Sequence, residues 1–114
     1  MSTIHGNEVN GIAVIHEFFS QFAPSQLKRG MVIAIPVINT EGFARFQRTF
    51  GDGQDLNRIM PGSFTGNRGS VFAANFFEEV VKKFDYMFDL HTASFGNLNS
   101  LYVKVDLSCK RCCR

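Results

Sequence analysis

The sequence predicts an α/β fold, and three observations predict it. Residues 8–22 and 70–84 carry apolar side chains at helical spacing. Residues 31–38, 85–90 and 100–105 are apolar runs of strand length. Their order, helix, strand, long loop, helix, strand, strand, interleaves the two types as layered α/β proteins do. The 114 residues make at most one domain, and 45% hydrophobic content supplies enough Phe, Val and Ile for a core.

In the first helical stretch the periodic positions are Val9, Ile12, Ala13, Phe19 and Phe22. Gly11 costs this helix about 1 kcal/mol relative to alanine, which points to close packing at that position. Glu8 is expected in the first turn, where the positive end of the helix dipole favours a carboxylate. Pro24 and Ser25 close the segment, and Lys28-Arg29-Gly30 makes a turn. The run 31–38 is continuously apolar, which suits a strand covered on both faces. Pro36 argues against its second half lying in mid-sheet.

Residues 39–70 are rich in Gly, Asn, Asp and Arg and hold no period. Loops of that length are usually functional or disordered. Disorder would expose Phe43, Phe46, Phe50, Leu56, Ile59, Met60 and Phe64, so a packed, functional loop is expected. The second helix is expected over 70–84, with Ser70 as N-cap and Lys82 and Lys83 in its last turn. Residues 85–90 form a short strand that ends at His91, and 100–105 form another.

A net charge of +2 without a long basic block does not indicate a nucleic-acid footprint, and no nucleic-acid partner is expected. No stretch approaches the roughly 18 apolar residues of a membrane span. Met1-Ser2-Thr3 runs straight into the first motif, so no secretory leader is expected and the expected location is the cytoplasm. The three cysteines, Cys109, Cys112 and Cys113, crowd the C-terminus, an odd number that makes no disulfide framework. A zinc site takes four ligands and no second Cys-x-x-Cys pair exists, so residues 108–114 read as a basic tail with exposed thiols after a domain at 1–107.

Chemistry gathers at His5-Gly6-Asn7-Glu8. A turn at Gly6 directs a histidine and a glutamate three residues apart into one metal site, and Asp89-Leu90-His91-Thr92 offers a third ligand. Two histidines and one glutamate are a usual catalytic zinc set that leaves a position for water or substrate. Such an ion lowers the pKa of water and polarises a carbonyl, the two needs of amide or ester hydrolysis. Each piece has a plainer explanation: Glu8 as a helix-dipole partner, His91 as a backbone-bonded histidine at a strand end. Arg48 and Arg58 on the packed loop offer planar, permanently charged forks for a carboxylate and a developing oxyanion, with Asn57 a donor beside them. Asp55 is read as the residue that pairs with an arginine and holds the loop in shape. Arg45 and Arg68 are expected to be solvated and His16 to lie on the helix surface.

Taken together, His5-Gly-Asn-Glu8, the segment Asn39-Thr-Glu-Gly-Phe leading to Arg48, Asp55-Leu-Asn-Arg-Ile-Met-Pro-Gly62 and Asp89-Leu-His-Thr92 resemble the succinylglutamate desuccinylase/aspartoacylase family, relatives of the zinc carboxypeptidases. The resemblance runs from His5 to Asp106. It implies a zinc-carboxypeptidase-like mixed sheet flanked by helices, here incomplete. It implies one zinc ion on His5, Glu8 and His91, substrate-carboxylate binding by Asn57 and Arg58, and carbonyl polarisation by Arg48. The implied reaction is hydrolysis of an N-acyl acidic amino acid, or a similar small anionic amide, by metal-activated water. Family members also place a strand before the His-Gly-x-Glu turn, where only Met1 to Ile4 stand here. They use a later glutamate as general base and acid, and no glutamate follows His91 in this chain. Glu17, Glu41, Glu78 and Glu79 fall in segments unsuited to that role. These departures lead to the expectation of a truncated chain with weak or no activity. A non-catalytic zinc-binding or interaction protein and a zinc carboxypeptidase are the alternative readings.

Overall fold

A computed structural model describes residues 1–105. The expectations for Asp106 and the cysteine tail lie outside these residues. Its organising segment is the first four residues, which run between two others, with Thr3 at a φ of 58°. On one side, the Ser2 N–H donates to the Ile35 carbonyl (3.0 Å), while Ile38 and Asn39 N–H donate to the Ser2 and Thr3 carbonyls (3.2 and 3.0 Å). On the other, Leu90 N–H donates to the Met1 carbonyl (3.0 Å), and the Met1 ammonium donates to the Phe88 carbonyl (2.6 Å). A parallel bridge joins Ser2 to Leu90.

That bridge is isolated, and among the described residues no strand forms, so the strands expected at 31–38, 85–90 and 100–105 are corrected. The physical reason lies in the partners. The central segment offers two or three residues to each neighbour, too few for a ladder. Ile38 rather than Val37 donates to the Ser2 carbonyl after Ser2 bonds Ile35, so the pairing skips a residue just past Pro36. Met31, Val32 and Ile33 remain exposed instead of covered on both faces.

Helix α1 spans Asn10–Gln21. Its first turn holds no acidic residue, because Glu8 lies ahead of the helix and is buried, which corrects the helix-dipole reading of Glu8. Gly11 is the buried residue of α1: a Cβ there would meet Ser2 Oγ at 2.1 Å and Leu90 Cβ at 3.0 Å. The glycine lets the helix sit on the bridge. Ala13 and Phe19, expected to face a core, are exposed, and Phe18 packs on its own neighbours Phe19 and Phe22.

The loop 39–70 is packed, as expected, but around two short helices. Asn39 caps α2 (Thr40–Ala44) by accepting from Gly42 N–H at 2.8 Å. Asp55 caps α3 (Leu56–Ile59) by accepting from Asn57 N–H at 3.0 Å. Phe50 and Leu56 join Ile4 and Ile38 in the buried core, with Met1, Ile35, Ile59, Met60, Phe72 and Phe76 packed against it. Phe43, Phe46 and Phe64 stay exposed, against expectation: Phe43 lies on the outer side of α2, and Phe46 and Phe64 lie in turns outside both short helices.

Helix α4 spans Arg68–Glu79, earlier at both ends than expected. Its cap is Asn67, which accepts from Ser70 N–H at 3.0 Å, so Ser70 is inside the helix and not its cap. Lys82 and Lys83 follow in a 3₁₀ turn (Val81–Lys83) and reach back to Glu78 and Glu79 at 2.8 and 2.7 Å. Arg68, expected to be solvated, is 71% exposed and also bonds Glu41 and lies over the Phe50 ring. Arg45 and His16 are exposed. Among the described residues no helix is long and apolar enough to cross a membrane.

Candidate metal centre

The turn 5–8 closes with Glu8 N–H donating to the His5 carbonyl at 3.0 Å. Gly6 makes this possible, because a Cβ there would lie 2.1 Å from the Gly42 carbonyl carbon and 2.3 Å from the Phe43 nitrogen. Backbone therefore packs on backbone against α2. The turn brings His5 Nδ1 to 3.0 Å from Glu8 Oε1, and both side chains are 3% exposed. The Ser2–Leu90 bridge delivers His91 from the far end of the chain, its Nδ1 3.0 Å from Glu8 Oε2. The two imidazole rings are 5.0 Å apart, and potential ligand atoms of His5, Glu8 and His91 all lie within 4.8 Å of one another.

The outer nitrogens are engaged as well. His5 Nε2 meets Asp55 Oδ1 at 3.2 Å, and His91 Nε2 meets Asp89 Oδ2 at 2.8 Å. A carboxylate that takes the Nε2 proton leaves the Nδ1 lone pair of a neutral imidazole for a cation, the usual support for a metal-ligating histidine. His5 Nδ1 is buried and makes no hydrogen bond, since its close approach to Glu8 lacks the required geometry. A divalent cation would satisfy that orphaned atom. Two imidazoles and a carboxylate are a donor set that suits zinc.

Arg48 is brought to the same place. Its Nη1 donates to Glu8 Oε1 (3.1 Å) and to Ser94 Oγ (3.0 Å), and its Nε donates to Asp55 Oδ2 (3.1 Å). Asp55 thus ties His5, Arg48 and the start of α3 together, the loop-holding part read for it from sequence. Arg58 stands at the edge, 81% exposed, with Nε 3.5 Å from Asp55 Oδ2. Asn57 gives its backbone N–H to Asp55, and its residue is exposed. Among the described residues the other glutamates are elsewhere: Glu17 bonds Gln21, Glu41 bonds Arg68, and Glu78 and Glu79 bond lysines.

Three contributors were not singled out from sequence. Asp89 and His91 are two apart in an extended segment, a spacing that puts both side chains on one side, so its role was readable. Thr92 N–H and the Ser94 hydroxyl, which donate to Glu8 Oε2 (3.1 Å) and Oε1 (2.7 Å), gave no such signal.

Burial pushes the Glu8 carboxyl up. The Ser94 hydroxyl, the His91 bond, the charge of His5 and the Thr92 N–H together outweigh it and hold Glu8 below the usual carboxylate range. Asp55 behaves alike, with burial opposed and overcome by His5 and Arg48. His91 is pushed above its ordinary value, first by its bond to Asp89, against burial, and further by the charge of Asp89 and by Glu8. The centre is therefore a closed ring of imidazoles, carboxylates and one guanidinium that bond one another.

Comparison with known proteins finds relatives of this chain. A model of the succinylglutamate desuccinylase/aspartoacylase catalytic domain matches residues 1–112. An N-alpha-acetyl-L-2,4-diaminobutyric acid deacetylase from Halomonas elongata is 33% identical over 89 residues, covering 77% of this chain and 26% of the deacetylase. The crystal structure of a succinylglutamate desuccinylase/aspartoacylase from Rhodobacter sphaeroides superposes with a TM-score of 0.70 at 27% identity, over 82% of this chain and 29% of that one. The product-bound ectoine utilization protein EutE from Ruegeria pomeroyi gives 0.68 at 27% identity, over 80% and 28%. This chain therefore spans less than a third of the length of each of these relatives, and over that span it shares the fold of the two solved structures. The chain belongs to the succinylglutamate desuccinylase/aspartoacylase family.

Proposed function

We propose that His5, Glu8 and His91 hold one zinc ion and that the protein acts in hydrolysis of the amide bond of an N-acyl amino acid or a similar small anionic amide. The observation that carries this reading is the orientation of the two histidines. Both Nδ1 atoms face the Glu8 carboxylate while both Nε2 atoms are held by aspartates. Zinc bound there supplies a Lewis acid for the carbonyl and a more acidic water. The relatives' names, a deacetylase and desuccinylases, support the amide as the bond that is cut.

The chain's own residues divide the remaining work. Arg48, fixed on two sides by Asp55 and Ser94, presents a permanent positive charge beside the ligand carboxylate, where it steadies an oxyanion that develops on the substrate. Arg58, mostly in solvent, is available for the substrate's carboxylate, and Asn57 adjoins it. Asp55 and Asp89 hold the histidine protons on Nε2.

No glutamate among the described residues stands free at this centre to shuttle a proton. Since general acid–base help is worth about 10² to 10⁴ in rate, turnover by this chain is expected to be slow. The test is metal analysis of purified protein after dialysis, with about one zinc per chain expected and loss of that zinc in His91→Ala. Well-folded protein without zinc overturns the reading. Zinc with no hydrolysis of N-acetyl or N-succinyl amino acids would favour a scaffold that binds zinc without catalysis.

A further inference from the structure

We infer that Ser94 is a positioning residue of this centre, one that shares Arg48 between itself and Glu8 and so governs both the carboxylate offered to the ion and the direction of the guanidinium. The inference rests on the zinc reading above and adds a residue to it. Ser94 Oγ donates its proton to Glu8 Oε1 at 2.7 Å and accepts from Arg48 Nη1 at 3.0 Å. Arg48 Nη1 also reaches the same Glu8 oxygen at 3.1 Å. Without the hydroxyl, that guanidinium nitrogen has only the carboxylate to bond, and a full ion pair competes with a cation for Oε1. With it, Arg48 is drawn partly away and Glu8 is steadied by a neutral donor.

The backbone supplies a second, independent observation. Phe95, next to Ser94, has φ of 61°, in the left-handed region that side chains rarely adopt, and its residue is 74% exposed. Packing of the ring therefore does not hold this conformation. Gly96 continues the turn at φ of 73°, and Asn97 Nδ2 closes it by donating to the Ser94 carbonyl at 3.1 Å. An unfavourable backbone kept for no packing gain is a mark of a segment shaped by its site. Here that segment directly follows the serine whose hydroxyl bonds Glu8.

The experiment measures zinc affinity by chelator competition on the full chain, beside thermal unfolding of the metal-free protein. Ser94→Ala is expected to weaken zinc by about 10- to 100-fold, as loss of such outer partners does. Ser94→Thr, which keeps the hydroxyl, is expected to restore binding to near the unsubstituted level, a rescue that a merely structural role would not give. In an Arg48→Ala background the Ser94→Ala loss should shrink, because the competing guanidinium is gone. Should Ser94→Ala not fold, Ser94→Cys, nearly the same size with a weaker donor, is expected to fall between serine and the loss. Equal zinc affinity for Ser94→Ala and the unsubstituted chain overturns the inference alone. Failure of the unsubstituted chain to bind zinc overturns the metal reading and this inference with it.

Discussion

Two regions of the molecule reverse the usual arrangement of polar and apolar side chains. Around the turn 5–8 the buried groups are polar: Ser2, Thr3, His5, Asn7, Glu8 and Asn39 are all inaccessible, packed on Ile4, Ile38, Phe50 and Leu56. Along 31–33, 86–88 and 98–105 the exposed groups are apolar, with Leu98 and Leu101 wholly in solvent. A buried charge is tolerable only when paired and bonded, and each charge of the first region is. Exposed apolar side chains on that scale are unusual for a lone soluble domain and mark surface that gains by being covered. The difference teaches that in these residues order comes from the ion-pair ring and the tight backbone beneath it more than from a large apolar core.

The strongest way to break that contrast is at Gly6. A methyl group there meets only backbone atoms, so Gly6→Ala should destabilise the fold by about 3 kcal/mol or more in urea unfolding. A change near zero would mean that the turn 5–8 does not press on α2. Next comes Asp55→Ala, which frees His5 Nε2, Arg48 Nε and the cap of α3 at once. Loss of stability by about 2 kcal/mol and of zinc affinity by about 10-fold or more is expected. Unchanged affinity would show that His5 needs no partner to face the ion.

A pH titration of the metal-free protein sharpens the same point. Glu8 and Asp55 lie below their ordinary values of 4.5 and 3.8. Their contribution is therefore complete above those values and is lost as pH falls through the lowered ones. His91 lies above 6.5, so its contribution is complete below that pH and is lost as pH rises through its raised value. Stability should pass through a maximum between these limits, while zinc affinity should go on rising with pH as His91 gives up its proton. A flat stability profile would remove the ion-pair ring as the source of order. The smallest effect belongs to the apolar region. Leu101→Ser should change unfolding free energy by no more than about 0.5 kcal/mol, yet lower light scattering from self-association. A large loss of stability would show that Leu101 is packed after all.

The site was far more legible in the sequence than the sheet. His5 and Glu8 are three residues apart on one turn, and Asn57 and Arg58 adjoin Asp55, so their neighbourhoods are local matters of spacing. Arg48 and His91 were candidates by residue type and motif rather than by spacing, and the structure brings both to Glu8. Asn57 and Arg58 it leaves at the rim. The strand expectations went astray because an apolar run states that a segment can pair and says nothing of whether a long enough partner is there. Between 31–38 and the first segment the backbone bonds run only from Ile35 and Ile38 to Ser2, with a residue skipped. The helix caps were misplaced for a related reason: Asn67 and Ser70 are both good caps, and only the path of the loop into α4 selects the first.

By itself, then, the sequence determined which residue types are on hand: two histidines and a glutamate at short or motif spacing, arginines in the loop between them, and a glycine at position 6, where backbone meets backbone. Those are properties of residue type and short spacing, and they do not depend on the rest of the chain. Only the tertiary structure decided that Met1 and Ser2 carry His91 across 83 residues to Glu8, that Asp55 and Asp89 turn both Nδ1 atoms inward, and that Ser94 stands between Glu8 and Arg48. Each of those is a long-range arrangement of hydrogen-bond donors and acceptors. Such arrangements depend on how distant segments pair, which spacing along the chain does not encode.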